Sequence, residues 1–582
     1  MAGIFIWHNE NHYKTDFIND VFESLDYSKG YFLSHDVWNA MVFSKTGYQI
    51  KNYLVQPDGF ICGTGTFAYK GNVYEKALPW IYKDLIGNKL DLKKFWGSFL
   101  VFVCYSNKAY LIRDGAMISH LYGMRGKSVY SNSFAGLIRS SGSKLHFNKD
   151  AATELLSTGV LTSDATLVNE IGFIVHRKNL GRLYCLYSGV DSMPAVNSRN
   201  EAIKQQLDVT STFMKRVSEE WFSYMPESHF NVSITAGLDS RLLTSLILQY
   251  HKKFDFYTYW RDENINDPDF KIAWQIAEYL GIPLQFKKTI PSSQLNDSEL
   301  EELFTSAHNI CDGNIRPGSF WDEEFSTADY RIRLSDLPYL GVTGFEGEYY
   351  RNMEHLPINS HRSYKSWVRW DMIYRFAGNN FTSKESQQKI ENRIVSNLVE
   401  LLGPGQMDLL TYKNYYLKVV VPSYRSLQSN VENRFGFILN PFADTNIAFA
   451  AIQAYRYLGK SFQFEIDMLK TLNPELAGLP NDYGFNFLKG PDFKLKFSIA
   501  LWGIMTPSIK HKLFSLYRNN YASNYIDDLL INKSKFIRSL LEILESAGLE
   551  VNLKTLMKRD IRGKLVLNMG FFLKNNENWI TW

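Results

Sequence analysis

Asn231-Val-Ser-Ile-Thr-Ala-Gly-Leu-Asp-Ser-Arg241 is the stretch on which the reading of this chain turns. An apolar, β-branched run passes into a turn of small residues and then into a segment with helical spacing. A turn of this kind presents backbone N–H groups and a helix N-terminus to an anion, and the helix dipole adds to the attraction. Ala236 and Gly237 let the backbone approach a phosphate closely. Thr235 and Ser240 supply hydroxyl donors, Leu238 completes the loop, and Asp239 suits the Mg2+ ion that accompanies a polyphosphate. Arg241 follows directly. It is read either as a two-pronged grip on phosphate oxygens or as the partner of a neighbouring carboxylate.

Working outward, the same rhythm continues. Phe254–Tyr259 reads as a second strand and Phe270–Leu280 as a second helix, closed by Gly281-Ile-Pro283. Strand–helix alternation implies a parallel sheet with helices on its faces. Upstream, Glu201–Glu220 has helical spacing, and Ser188–Asn200 is polar and turn-prone, the best linker in the chain. Before it the chain is β-rich, with apolar and aromatic runs at Gly3–Trp7, Gly97–Tyr105, Ala109–Arg113, Ser128–Tyr130 and Arg182–Tyr187. Gly, Asn, Asp and Ser clusters break these up, as hairpins and antiparallel sheets require, and one helical segment, Lys149–Thr158, interrupts them. From about Ser360 the chain is mainly helical, with breaks at Gly403-Pro-Gly405 and Leu439-Asn-Pro-Phe442. The expected division is residues 1–190 and 200–582 of an α/β chain with an α+β first part. At 582 residues the chain is too long for one hydrophobic core.

Composition narrows the function. The formal charge is +4, so neither a basic nucleic-acid surface nor an acidic disordered tail is expected. The four cysteines, Cys62, Cys104, Cys185 and Cys311, stand singly, which disfavours a zinc site or a disulfide framework. The N-terminus lacks the basic and apolar regions of a signal peptide, and no apolar run is of membrane-spanning length. A cytoplasmic protein with no membrane contact is expected.

Four motifs in order resemble the glutamine-hydrolysing asparagine synthetase family. Thr235-Ala-Gly-Leu-Asp-Ser240 is similar to the family's Ser-Gly-Gly-x-Asp-Ser pyrophosphate loop. Asp267-Pro-Asp-Phe-Lys-Ile-Ala273 with Ala277–Pro283 looks like its second strand–helix unit. Leu340-Gly-Val-Thr-Gly-Phe-Glu-Gly-Glu-Tyr349 and Asn440-Pro-Phe-Ala-Asp444 resemble its later turns. Met1–Phe5, Leu92–Phe102, Ala109–Gly115 and His120–Gly123 look like its glutaminase half. The resemblance implies an N-terminal Ntn-hydrolase-like β-rich sandwich. It also implies a C-terminal ATP-pyrophosphatase-like parallel sheet with a helical extension. It further implies that Thr343 and Gly344 line a nucleotide site, that Glu348 joins Asp239 on a metal, and that Arg113 and Asp114 form a buried structural pair.

The departures are informative. Glutamine-dependent members expose a cysteine after Met1; here position 2 is Ala2, which cannot be that nucleophile. In this respect the chain is similar to lasso-peptide cyclases and β-lactam synthetases. Phe345 falls where a family glutamate acts, with Glu346 one residue on as a substitute or as a solvent-facing side chain. The family's late lysine has no match in Leu479–Asn486; Lys489 and Lys470 are the nearest candidates. The expected function is an ATP-dependent amide-bond-forming ligase. It would adenylate a carboxylate-bearing small molecule or peptide and join it to an amine not drawn from its own glutamine hydrolysis. A catalytically retired homologue that binds nucleotide or a partner is the alternative, and a homodimer or a partner protein fits either reading.

Overall fold

The computed structural model describes residues 2–45, 48, 50–174, 179–180, 182–191, 193–250, 253–260, 268–288, 295–315, 339–356, 358, 362–378, 380–510, 512–513, 534–557 and 560–582. Asp267 of the second motif lies outside them. Among these residues the chain is mixed α/β, with two larger sheets of mainly antiparallel pairing and one parallel sheet accompanied by helices.

The first sheet has six strands, in the order Ile171–Phe173, Tyr122–Met124, Val129–Ser131, Gly3–His8, Trp38–Phe43 and Tyr31–His35. The second is centred on two long strands, Gly59–Tyr69 and Phe95–Tyr105, paired antiparallel along their full length. Side chains alternate across a strand, and here both faces are apolar because both are covered. Ile4 and Ile6 pack with Phe60, Cys62, Leu100 and Phe102, so the two sheets face each other. Phe5 and Trp7 point the other way, into a cluster with Ile18 and Phe22 of the helix Thr15–Glu23. Phe99, Val101 and Val103 pack outward with Trp221 and Phe230 of the later chain.

The helix Lys149–Thr158 has the limits expected, capped by the Asn148 side chain and ended at Gly159 with φ +78°. A helix of 26 residues, Arg199–Tyr224, begins at the end of the expected linker, with Ser198 as its N-cap. It leads to the parallel sheet, ordered Leu284–Lys288, Phe254–Trp260, His229–Ser233, Tyr339–Val342 and Phe437–Leu439. All four pairings are parallel. The last strand was not anticipated, because its three residues are too short to carry a periodic signal. A second unanticipated strand, Ile580–Thr581, pairs parallel with Leu145–His146 and ties the chain's last residues to its first third. No helix among the described residues is long and apolar enough to cross a membrane.

Candidate active site

The strand order places His229–Ser233 at the centre, with later strands added first on one side and then on the other. The crevice outside the carboxyl ends of His229–Ser233 and Tyr339–Val342 is therefore the switch point of the sheet, where open α/β sheets bind ligands. The two turns that leave these strands are the first and third motifs, and they interlock. A Cβ on Gly347 would lie 1.7 Å from Asp239 Oδ1, and one on Gly344 would lie 3.0 Å from the Asp239 carbonyl. A side chain at Gly347 would displace the Asp239 carboxylate, and one at Gly344 would press on the loop backbone.

The loop is internally bonded. Ser240 Oγ accepts from Thr235 N at 3.2 Å and lies 3.2 Å from Thr235 Oγ1. Thr235 Oγ1 accepts from Gly237 N at 3.1 Å. The Asp269 carboxylate, from the helix Pro268–Leu280, accepts from Ala236 N at 3.1 Å. Leu238 is buried at the start of the helix Leu238–Tyr250. The loop N–H of Ala236 thus already has a carboxyl partner.

Around the crevice lie side chains the sequence reading did not find. Arg351 bridges two carboxylates, donating from Nη2 to Asp239 Oδ1 and from Nε to Glu465 Oε2 at 2.7 Å. Arg425 donates to Glu348 Oε1. The Tyr416 hydroxyl lies 2.8 Å from Glu346 Oε2 and 3.2 Å from Glu348 Oε2. Lys413 Nζ donates to the carbonyls of Glu348, at 2.7 Å, and Arg351. Tyr416 and Arg425 sit at the two ends of one π-helical segment, Tyr416–Arg425, with Pro422 inside. Proline has no N–H to close the ordinary helical bond, and the wider turn accommodates it.

Burial dominates the electrostatics. It pushes Asp239 well above the usual carboxylate range, with Arg351 opposing and Glu465 adding to the rise. It raises Glu346 to about 8, opposed by Arg425 and reinforced by Glu348. Glu348 is subject to the same burial, but Arg425 and Arg351 outweigh it and hold the carboxyl below its ordinary value. Burial lowers Lys413 to about 7.

Of the expected residues, Thr235, Ala236, Gly237, Asp239, Ser240, Thr343, Gly344, Glu346 and Glu348 meet at this crevice. Glu346 is buried, with φ +78°, not solvent-facing. Thr343 Oγ1 and Glu346 Oε1 are buried with no hydrogen-bond partner among the described residues. Thr343 also lines a small pocket with Asn231, Ser233 and Tyr257. Arg241 is placed differently from either reading: its fully buried guanidinium donates to the carbonyls of Leu476, Leu479 and Pro480. Lys489 is exposed and is not brought to the crevice; its backbone N–H bonds Asn486 Oδ1 at 3.3 Å. Asp444 of the fourth motif caps the helix Thr445–Gln453. Asp239 and Glu348, the carboxylates expected to hold magnesium, face side chains of this chain in this structure. Asp239 Oδ1 is taken by Arg351, and Glu348 uses its two oxygens on Arg425 and Tyr416. Among the described residues no three His, Cys, Asp or Glu side chains converge as a metal-ligand group.

Fold and site together define a mixed α/β chain with a charged crevice at the switch point of its parallel sheet. No protein-family model matches the chain, and no curated protein matches it in sequence.

Proposed function

We propose that this crevice binds the polyphosphate of ATP and that the chain is an AMP-forming carbon–nitrogen ligase. On this reading the antiparallel sandwich is an Ntn-hydrolase-like part without its nucleophile, and the parallel sheet is of the ATP-pyrophosphatase kind. The supporting observation is the meeting of the Thr235–Ser240 loop with the Thr343–Glu348 turn at the switch point, ringed by Arg351, Arg425 and Lys413.

A substrate carboxylate oxygen attacks the α-phosphorus, and the bond to the β-phosphate oxygen breaks with its electron pair leaving on pyrophosphate. The amine then attacks the acyl carbon and AMP departs. The chain contributes position and charge: the loop N–H groups receive the phosphates once Asp269 withdraws, and Arg351 and Arg425 turn from Asp239 and Glu348 to the departing pyrophosphate. Glu346, beside Tyr416, is assigned to accept the amine's proton. Once Arg351 and Arg425 leave them, Asp239 and Glu348 would be free to hold the Mg2+ that accompanies ATP, which would add charge neutralisation at the phosphates.

The test is the nucleotide product. Purified chain and an Asp239→Ala variant, given ATP with candidate carboxylates and amines, are assayed for AMP, ADP and pyrophosphate. AMP with pyrophosphate from the parent alone supports the ligase. The committed arginines also favour a second reading, a homologue that binds nucleotide or a partner without turnover. ATP binding with no AMP from any carboxylate class would favour it, and failure to bind ATP would sink both.

A further inference from the structure

Apart from the crevice, a cavity of about 70 Å³ lies where the first sheet meets the later helical chain. Tyr122 and Phe173, paired across neighbouring strands, form one wall with His120. Pro422 and Ser423 of the π-helical segment form another, and Asn314 stands beside them. Interiors of folded chains leave few voids larger than one water. This one, partly open to the surface, is larger than a single water needs.

None of the described residues that line it is an acid, a lysine or an arginine. His120 is neutral as well: burial is the main cause that lowers its pKa to about 3, with Arg113 adding to the effect. Its two ring nitrogens lie 3.0 Å from Tyr122 Oη and 2.6 Å from Ser426 Oγ. Tyr122 in turn donates to Asn314 Oδ1 at 2.6 Å. An imidazole, a phenol and a carboxamide are thereby locked together in a largely apolar wall. A charged occupant would meet no acid, lysine or arginine among the described lining residues and would lose part of its hydration. A neutral one with an apolar body can rest on Phe173 and the leucines while its head exchanges hydrogen bonds with the polar group.

We propose that this cavity binds a small uncharged molecule with an apolar body and a single hydrogen-bonding head, an amide or an alcohol. The site does not depend on the ligase reading, since binding is measured without nucleotide. It shares the helical segment Tyr416–Arg425, whose end residues bond Glu346 and Glu348 of the crevice.

The experiment presents the full chain with isobutyramide and its charged isosteres, isobutyrate and isobutylammonium, and reads saturation-transfer NMR together with the melting temperature. Isobutyramide should bind saturably and raise the melting temperature, and the charged isosteres should respond about tenfold more weakly. Ala165→Leu and, separately, Leu161→Phe fill the cavity from two sides, and either one that folds should abolish the response. The proposal fails if isobutyramide gives no saturable signal, which would leave a water-filled space. It also fails if the charged isosteres bind equally, or if a folded, filled variant still binds the amide.

Discussion

Buried charge is answered in two different ways in this chain. In the N-terminal half several buried charges are answered by backbone. Asp114 accepts from the N–H groups of Phe99, Ile118 and Ser119. Arg113 donates to the carbonyls of Ile174 and Ser119, each at 2.7 Å, and Lys45 donates to those of Asn433 and Gly436 at 2.5 Å. In the crevice, charge is mainly answered by other side chains: Arg351 by Asp239 and Glu465, Arg425 by Glu348, and Glu346 by Tyr416. A carbonyl fixed in a strand or turn cannot leave its partner without local unfolding, whereas a side chain can change rotamer. The first arrangement is a structural fastening. The second can exchange an internal partner for a ligand. Arg241 falls in the first group although it adjoins the loop, and for that reason its role is read as positioning the loop's helix, not as gripping phosphate.

The largest expected effect breaks the first arrangement. Asp114→Ala would leave three buried N–H groups without their acceptor, at ~1–3 kcal/mol each, so a loss on the order of 5 kcal/mol is expected. Chemical denaturation measures it. A loss below ~1 kcal/mol would mean that backbone-answered charge is not a fastening here.

Next comes Arg351→Met. Removing the shared cation leaves Asp239 and Glu465 facing each other, and breaking a buried pair in this way costs about 3–5 kcal/mol. A second change separates the two arrangements: Arg351→Met with Glu465→Leu and Asp239→Asn should recover most of that stability, since the whole network has been removed. No equivalent recovery is expected from pairing Asp114→Ala with Arg113→Met, whose carbonyl and N–H partners would all remain. Recovery in both halves, or in neither, would erase the distinction.

These two halves were legible in the sequence to different depths. The strand–turn–helix of Asn231–Arg241 and the alternation after it revealed the parallel sheet, because period and turn chemistry are local properties. The β-rich character of the first part was readable for the same reason, although the strands Tyr31–His35, Trp38–Phe43 and Gly59–Tyr69 were not picked out. The ring around the crevice was not. Tyr416 lies 70 positions from Glu346, and Glu465 lies 114 from Arg351, and nothing in the local pattern of either segment marks it as half of a pair. Lys489 and Lys470 are the lysines nearest Leu479–Asn486, where the family's late lysine has no match, while Lys413, which reaches the crevice, stands in a helix with no motif at all. The strand Phe437–Leu439 escaped because three residues carry no period.

The third effect concerns protons. His308 is buried and meets Asn575 Nδ2 at 2.9 Å and Asn576 Nδ2 at 3.2 Å. Burial is the main cause that lowers its pKa from 6.5 to about 3, and His120 is lowered to the same value. The sign is fixed by where the proton binds. Below pH 6.5 the unfolded chain takes up protons that the folded chain refuses, so stability is full above that pH and is lost as pH falls toward 3. Between pH 6.5 and 5 each histidine contributes a loss of about 2 kcal/mol. His308→Gln should flatten the acid limb of the stability profile by about that amount and leave stability at pH 8 less affected. An unchanged acid limb would show that His308 is protonated in the fold.

The smallest effect tests the N-terminal end itself. Ala2 is fully buried, and its backbone nitrogen donates to the Arg434 carbonyl at 2.5 Å. Ala2→Cys restores the thiol that the resemblance lacks, at a stability change within ~1 kcal/mol, since sulfur adds little volume. A nucleophile there also needs a nitrogen able to take its proton and room for a substrate amide, yet the nitrogen is committed to a carbonyl and the side chain has no exposed surface. Glutamate release from glutamine should therefore stay at background in the variant. Measurable hydrolysis would mean that the end opens in solution and that a thiol at position 2 is enough for the reaction. Background hydrolysis with unchanged stability would mean that the contact with Arg434 had closed the site independently, so that regaining the cysteine is not enough to regain the reaction.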